Sequence, residues 1–458
     1  MIFNSIPFLV FILCFFLGKK VIGSNIKLNW IWITAMSFFF YGWWDWRFLF
    51  LLVGTGTIDY FCGLKIAEGK AKKFFLYVSV ISNIGSLALF KYGLWLARSL
   101  DQCFDGIIKT HFEDSIPAFT YILPVGISFY TFNSLSYALD LYKGKAKKAE
   151  SWLHFMAFIS FFPHLVAGPI IRARDILGQL NKKILVSETL WLNGLKTCLS
   201  GFFMKMVLAD NLASLVNHHF TAKSAGADTL TWWLVMLAFT MQIYFDFNGY
   251  SSIARGIAKM CGIHFKLNFN HPYRAIGFGD FWSRWHISLS TFFRDYVYIP
   301  LGGNRKGKWR TELNRWITML LSGLWHGAGL TFILWGALHA AFLSLENHLG
   351  FAKKYIKYFV FPLVLLAWVL FRSTDTDQAF DVYRHLFSFK FEGSIKEVLF
   401  SNGAVWLVFS FIYDSKWYNN LKLWRTKKVW IQGLIWAGVI AMTIYFRGPE
   451  QQFIYFQF

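Results

Sequence analysis

Charge is what this sequence has least of. Charged residues fill 16% of its 458 positions, where soluble domains carry about 25%. With 56% hydrophobic residues and a mean hydropathy of +0.41, the shortage excludes a soluble globular protein. No long polar block is present, so no separate soluble domain is expected. Acid is the rarer sign, at 25 Asp and Glu against 46 Lys and Arg, for a net charge of +21. A pI near 9.7 admits nucleic-acid binding. The better reading is the positive-inside rule, because the charges cluster in short loops between apolar runs, and no nucleic-acid partner is expected. Only five cysteines occur, Cys14, Cys62, Cys103, Cys198 and Cys261, with no C-x-x-C spacing, so neither a disulfide framework nor a zinc site is suggested. The first apolar stretch is expected to be a retained span and not a cleaved secretory signal. Lys19 and Lys20 follow the apolar stretch Met1–Leu17 instead of preceding it, and no small-residue cleavage site is present.

What remains is a succession of apolar runs. The fold class expected is an all-α polytopic membrane protein, with about 11 transmembrane helices plus re-entrant helices around a central cavity. Basic loops mark the inside: Lys19, Lys20 and Lys27; Lys65, Lys70, Lys72 and Lys73; Lys143, Lys145, Lys147 and Lys148; Lys353, Lys354 and Lys357; Lys416, Lys422, Arg425, Lys427 and Lys428. Asp101, Asp105, Glu113 and Asp114, and later Asp375, Asp377, Asp381, Glu392 and Glu397, mark the outside. Both termini then fall outside. Trp43, Trp44 and Trp46 form an aromatic cluster suited to a headgroup boundary. Phe119–Leu141 reads as one span. Thr189–Val216 is longer than a bilayer requires, and Leu230–Tyr250 follows it. Trp152–Ile171 has basic residues at both ends and carries Pro163, His164, Gly168 and Pro169. It reads as a re-entrant broken helix, which must be buried in protein or line a cavity.

The chain is taken as one membrane-embedded domain, 1–458, with 270–339 as its core segment. That segment holds His286 and His326, each directly after a tryptophan. Asp280–Ile299 reads as one amphipathic helix. Trp282, Trp285, Leu289, Phe292, Phe293 and Tyr296 form its apolar stripe, and Asp280, Arg284, Ser288, Thr291 and Asp295 face away. Asp280 and Arg284 are spaced to pair. His286 falls at the edge between the faces, as an interfacial residue or a functional one. His326 follows an apolar run from Leu313, which puts its imidazole about 20 Å along a helix from the basic side. An intramembrane ionisable residue is a functional candidate. The bland alternative is a histidine bonding across a tight glycine-rich helix crossing, with Gly323, Gly327 and Gly329 nearby. The absence of H-x-x-x-H at this position points to proton transfer or hydrogen bonding, not to a metal. Asp246 is read as orienting a substrate, pairing with an arginine, or structural. Asp59, Asn133, Gln242, Asn248, His164 and His339 are weaker candidates, with His164 as a helix cap and His339 as a supporting residue. Arg305, Lys306, Lys308 and Arg310 in GGNRKGKWR either hold donor phosphates or serve only as an inside stop signal.

Several long stretches resemble the membrane-bound O-acyltransferase family, and within it the bacterial alginate O-acetylase branch. They are FFFYGWWDWRFL (38–49), LPVGISFYTFNSLSYALDLYKG (123–144), FFPHLVAGPI (161–170), QIYFDFNGYSSIA (242–254), NFNHPYRA (268–275), DFWSRWHISLSTFFRDYVYIPLGGNR (280–305), LLSGLWHGAGLTFILWGALH (320–339) and FIYFQF (453–458). The resemblance implies that His326 is the family's essential histidine and His286 its second polar position. It implies acetyl-CoA as donor from the cytosolic side of a bacterial inner membrane, without a metal. It also implies an extracytoplasmic polysaccharide acceptor, reached directly or through extracytoplasmic acetyltransferase partner proteins. His271 and Asn248 are small departures that bear on substrate choice. A D-alanyl transferase with a carrier-protein donor shares the architecture. A polysaccharide or lipid transporter would show internal repeats and paired acidic residues, and neither is evident.

Overall fold

The computed structural model describes residues 1–104, 111–183, 186–221, 228–391, 402–416 and 428–456. Asp105, Glu392, Glu397, Lys422, Arg425 and Lys427, and the last two residues of FIYFQF, lie outside the described residues. Among those described, every regular element is helical. The chain divides into two compact units, Met1–Leu195 with Ala254–Lys266, and Lys196–Ile253 with Leu267–Phe458.

In the first unit, α1 (Ile6–Ile22) begins where the Ser5 hydroxyl accepts the Phe8 N–H, and it ends at left-handed Gly23. Lys19 and Lys20 in its last turn offset the negative end of the helix dipole. The helices α2 (Ile26–Asp45), α3 (Arg47–Ala67) and α4 (Lys72–Cys103) follow. Their expected positions are matched closely, and Trp43, Trp44 and Trp46 are exposed. The run 119–141 is not one helix. A short 3-10 turn, Ala118–Tyr121, precedes α5 (Ile127–Tyr142), which is only 16 residues long. Pro124 offers no N–H, and Gly126 turns left-handed at φ +77, so a helix cannot pass through them.

The segment expected to be a broken helix is broken. It forms α6 (Trp152–Ile159) and α7 (Phe162–Leu165), then irregular chain before α8 (Ala173–Leu180). Every residue from His154 to Ala173 is buried. The freed backbone groups are met by side chains, as burial demands. Ser37 Oγ accepts from Phe162 N at 3.0 Å, Asn133 Oδ1 from Ile171 N at 2.8 Å, and Ser136 Oγ from Ala173 N at 3.1 Å. Asn133 Nδ2 donates to His164 Nδ1, leaving His164 Nε2 to donate to the Phe158 carbonyl at 3.0 Å. His164 therefore ties the break together. Asp59 is likewise internal, accepting from Ser79 at 2.5 Å, Asn83 at 2.7 Å, and Ser134.

The helix α9 (Glu188–Thr221) runs 34 residues and α10 (Thr229–Met260) 32. With α3 and α4, these are the helices among the described residues that are long and apolar enough to cross a membrane. The second unit continues with α11 (Phe278–Arg284), α12 (Ile287–Phe293), α13 (Lys308–His326), α14 (Leu330–His348), α15 (Val360–Arg372), α16 (Thr376–Leu386), α17 (Asn402–Asp414) and α18 (Val429–Tyr445). The pair α13–α14 forms a tight hairpin. A Cβ built on Gly336 would stand 2.5 Å from the Met319 carbonyl oxygen, and one on Gly323 would overlap the Phe332 carbonyl. Glycine here is a packing requirement.

Alanine in a helix interior is favoured over glycine by about 1 kcal/mol, but overpacking against fixed backbone costs about 1–3 kcal/mol. Gly336→Ala is therefore expected to lower the thermal unfolding midpoint in detergent. Gly433→Ala, where a Cβ meets no described atom within 4 Å, should raise it. A rise in both would show that the hairpin contact is not tight.

Candidate active site

Asp280–Ile299 is not a single helix. Trp285 is extended at φ −94 and ψ 129, and His286 is left-handed at φ 40 and ψ 55, between α11 and α12. A non-glycine residue in that region costs on the order of 1–3 kcal/mol. The surroundings offset it. Asn270 N donates to the Arg284 carbonyl at 2.9 Å, and the Asn268 carbonyl accepts from Ile287 N at 2.9 Å. Asn268 Oδ1 accepts from Ser288 N and from Ser288 Oγ, and Asn268 Nδ2 donates to Ser251 Oγ at 3.2 Å. An extended stretch thus takes over bonds that a continuous helix would have made internally. The expected apolar stripe survives in part, with Trp282 and Tyr296 only half-buried. Trp285, Leu289, Phe292 and Phe293 are buried, and Arg284 pairs with Asp280 at 2.7 Å.

The break moves His286 from the predicted edge into the interior, at 0% exposure. Its ring meets Phe247 edge-on at 4.6 Å between centroids. Its Nδ1 lies 3.5 Å from Ser288 Oγ. His326 is the last residue of α13 and is 3% exposed. Around it stand Trp325 at 4.9 Å, Trp335 at 5.1 Å, Phe371 at 5.1 Å and Tyr455 at 5.5 Å. The two histidines singled out by sequence are brought together, with ring centroids 6.5 Å apart. The tight glycine crossing named as the bland alternative also exists, one turn back at Gly323, but it is a backbone contact. His339 is fully buried and does not reach His326. It meets Trp335 at 4.7 Å, and Trp335 in turn meets His326.

A cavity of about 600 Å³ opens beside this pocket, between α11, α12, α13 and α14. Its wall includes Trp282, Ile287, Ser290, Met319, Arg294 and Arg315. Arg315 pairs with Glu312 at 2.5 Å and Arg294 with Asp295 at 2.8 Å. The cavity is apolar with two guanidinium groups, which suits an amphiphilic ligand carrying negative charge. Arg305, Lys306 and Lys308 are exposed and Arg310 is half-buried, and none of the four belongs to the cavity wall. Asp246 pairs with a lysine, not an arginine: Lys205 Nζ lies 2.7 Å from Asp246 and 2.7 Å from Asp210. His271 bonds Asp414 at 2.6 Å, and Asn248 Nδ2 points to Met204 Sδ at 3.5 Å. Sequence reasoning missed Lys205, Trp335, Phe371 and Tyr455. Of these only Lys205, a lone charge within an apolar run, carried a signal of its own.

The family model for membrane-bound O-acyltransferases matches residues 148–362, a range that includes both histidines. A probable alginate O-acetylase of Pseudomonas aeruginosa is 39% identical, covering 85% of this chain and 75% of that protein. The chain belongs to the membrane-bound O-acyltransferase family. As a membrane-bound O-acyltransferase it is an enzyme that takes an acyl donor. The peptidoglycan O-acetyltransferase of Helicobacter pylori is 34% identical over 84% of the chain and 79% of its own length. A teichoic acid D-alanyltransferase of Bacillus subtilis is 30% identical over 52% and 62%.

Since Asn268 holds the start of α12, Asn268→Ala should destabilise the enzyme by about 1–3 kcal/mol through the donors it leaves unsatisfied. It should also reduce acyl transfer beyond what unfolding explains. Thermal unfolding and turnover of the folded fraction check this, and an unaltered midpoint would refute it.

Proposed function

We propose that this enzyme moves acetyl groups from cytosolic acetyl-CoA across a bacterial inner membrane towards an extracytoplasmic, alginate-like polysaccharide, directly or through a partner protein. The observation that carries the reading is the buried meeting of His286 and His326 in one aromatic pocket. The alginate and peptidoglycan acetylases among the relatives support acetyl as the group and a polysaccharide as the acceptor. The D-alanyltransferase aligns with much less of the chain. In this reading the whole chain, 1–458, acts as one domain, with 270–339 as its catalytic core. It crosses the bilayer about 11 times, with re-entrant pieces around a central cavity and both termini outside.

The chemistry is attack of an acceptor hydroxyl on a thioester. A hydroxyl is a poor nucleophile until its proton is removed. Imidazole titrates near neutrality and can remove it. His326 takes the proton as the acceptor oxygen bonds to the carbonyl carbon. When the intermediate collapses, the carbon–sulfur bond breaks and the thiolate leaves with that proton as free CoA thiol. His286 aligns the acceptor or donates to the oxyanion, a role worth roughly 2.7–4 kcal/mol where such donors have been removed. The cavity with Arg294 and Arg315 receives the donor beside His286. Arg305, Lys306, Lys308 and Arg310 draw in the CoA phosphates from the cytosolic side.

His326→Ala and His326→Gln should each cost about 10²–10⁴-fold in acetyl-CoA turnover, the range of a general base. Folded variants with full activity would sink the assignment. D-alanyl transfer from a carrier protein, in place of acetyl transfer, would decide for the second chemistry. Neutral replacements at Arg305, Lys306, Lys308 and Arg310 should raise the acetyl-CoA concentration needed for half-maximal rate and leave the maximal rate alone. An unchanged requirement would leave that loop a topology signal only.

A further inference from the structure

The reaction as described makes no use of a buried cluster of charges in the second unit. Lys205 is 4% exposed, Asp210 2% and Asp246 2%. Lys205 lies in a π-helical stretch of α9, Phe203–Ala209, and such widened turns re-aim a side chain from its helical direction. Gly249, less than one turn from Asp246, lets the helices cross closely, since a Cβ there would stand 2.8 Å from the Gly201 carbonyl. Lysine and aspartate therefore meet inside an apolar crossing.

The segment after α18 is threaded onto this cluster. Asp246 Oδ2 accepts from Ile454 N at 2.8 Å, and Lys205 Nζ donates to the Gln451 carbonyl at 3.3 Å. Gly448 N donates to the Met206 carbonyl at 2.8 Å, and Asn211 Nδ2 donates to the Phe446 carbonyl at 2.9 Å. Asn217 Nδ2 reaches Gln451 Oε1 at 3.2 Å, while Asn217 Oδ1 accepts from Arg372 at 3.0 Å, next to Phe371 of the His326 pocket. Phe453 and Ile454 are 0% and 1% exposed. Tyr455 then lies 4.5 Å from Phe247, 5.5 Å from His326 and 6.3 Å from His286, centroid to centroid.

We propose that Lys205 and Asp246 form a lock that seats Phe446–Tyr455 so that Tyr455 closes the histidine pocket, making both positioning residues for acyl transfer. Their effect on the reaction rests on the assignment of His326 as its base. The lock itself does not. Between α18 and the 3-10 turn Ile454–Phe456 the chain has no helix to satisfy its backbone. In an apolar interior, only groups such as these can hold its N–H and C=O in one register.

The experiment uses the full-length protein in detergent, with amide hydrogen exchange over Phe446–Tyr455 read beside acetyl-CoA turnover. Lys205→Met and Asp246→Asn should each speed exchange at Gly448 and Ile454 by on the order of tenfold or more, since local opening sets that rate. They should lower kcat by a similar factor and leave KM for acetyl-CoA within about twofold, because a residue acting in the transition state moves kcat. Lys205→Arg should restore slow exchange. Gly448→Ala reaches the same end from outside the cluster, because its Cβ would meet Asn211 N at 2.6 Å and push the segment away. It carries the test if the buried variants do not fold. Slow exchange in Gly448→Ala and in any folded buried variant overturns the lock. Fast exchange with full turnover overturns the positioning role. His326→Ala should lose turnover and keep slow exchange; if it stays active, the reaction assignment fails and the lock is still judged by exchange.

Discussion

The backbone contact between α13 and α14 is the constraint on which the site depends. At Gly323 and Gly336, each helix presents hydrogen where any other residue presents carbon, and each opposes a carbonyl of its neighbour. Helices can approach so closely only where side chains are missing. The consequence lies within one turn of the contact. His326 is three residues after Gly323, and Trp335 is directly before Gly336, so the approach of the two backbones sets the 5.1 Å between their rings. His339 follows Gly336 by three residues and packs on the same tryptophan. Two rings of the pocket, His326 and Trp335, are thus held by one hairpin, with His339 packed behind the tryptophan. A wider hairpin would open a gap beside the imidazole of His326, and a gap in an aromatic interior forfeits dispersion contacts outright.

The other histidine is held by the opposite means. His286 occupies a conformation that its side chain disfavours, and it persists because bonds from Asn268 and Asn270 replace those the helix gives up. This explains what could be read from sequence and what could not. The apolar stripe of Trp285, Leu289 and Phe292 was legible, because periodicity reports which face is buried. The break at His286 was not. Periodicity is blind to a single left-handed residue, and the groups that stabilise it are 16 or more positions upstream. The same division holds elsewhere. The break after Trp152 was legible from Pro163 and Pro169, which act locally. The break near the start of the Phe119 run is marked by Pro124 and Gly126, but the continuous hydrophobicity around them hides it.

Within the site, sequence singled out the two histidines because a polar ring in an apolar run stands out. It passed over Trp335, Phe371 and Tyr455 because aromatic residues make up 21% of this chain. Against that background no single ring is informative, and only three-dimensional convergence distinguishes the few that surround His326. Charge behaved differently again. Asp246 stands out in the sequence, with an arginine as one expected partner, because a buried carboxylate requires a cation. The cation is Lys205, one helix earlier, where the π-helical turn directs it inward.

That ion cluster is hard to explain as a source of stability. Well-packed apolar residues in place of a buried ion pair are often as stable or more so, because desolvation cancels most of the attraction. An apolar replacement, however, offers nothing to a passing backbone. Here the carboxylate of Asp246 accepts one peptide N–H, and the ammonium of Lys205 donates to a peptide carbonyl three residues earlier. The two contacts are three residues apart, so together they fix which residue of the segment lies at Asp246, at the start of a 3-10 turn, Ile454–Phe456. Phe453 and Tyr455 share a face, and both meet Phe247. Displaced from that anchor, the segment would no longer hold the Tyr455 ring against Phe247 and His326. The value of the buried charges therefore lies in selecting which ring faces His326.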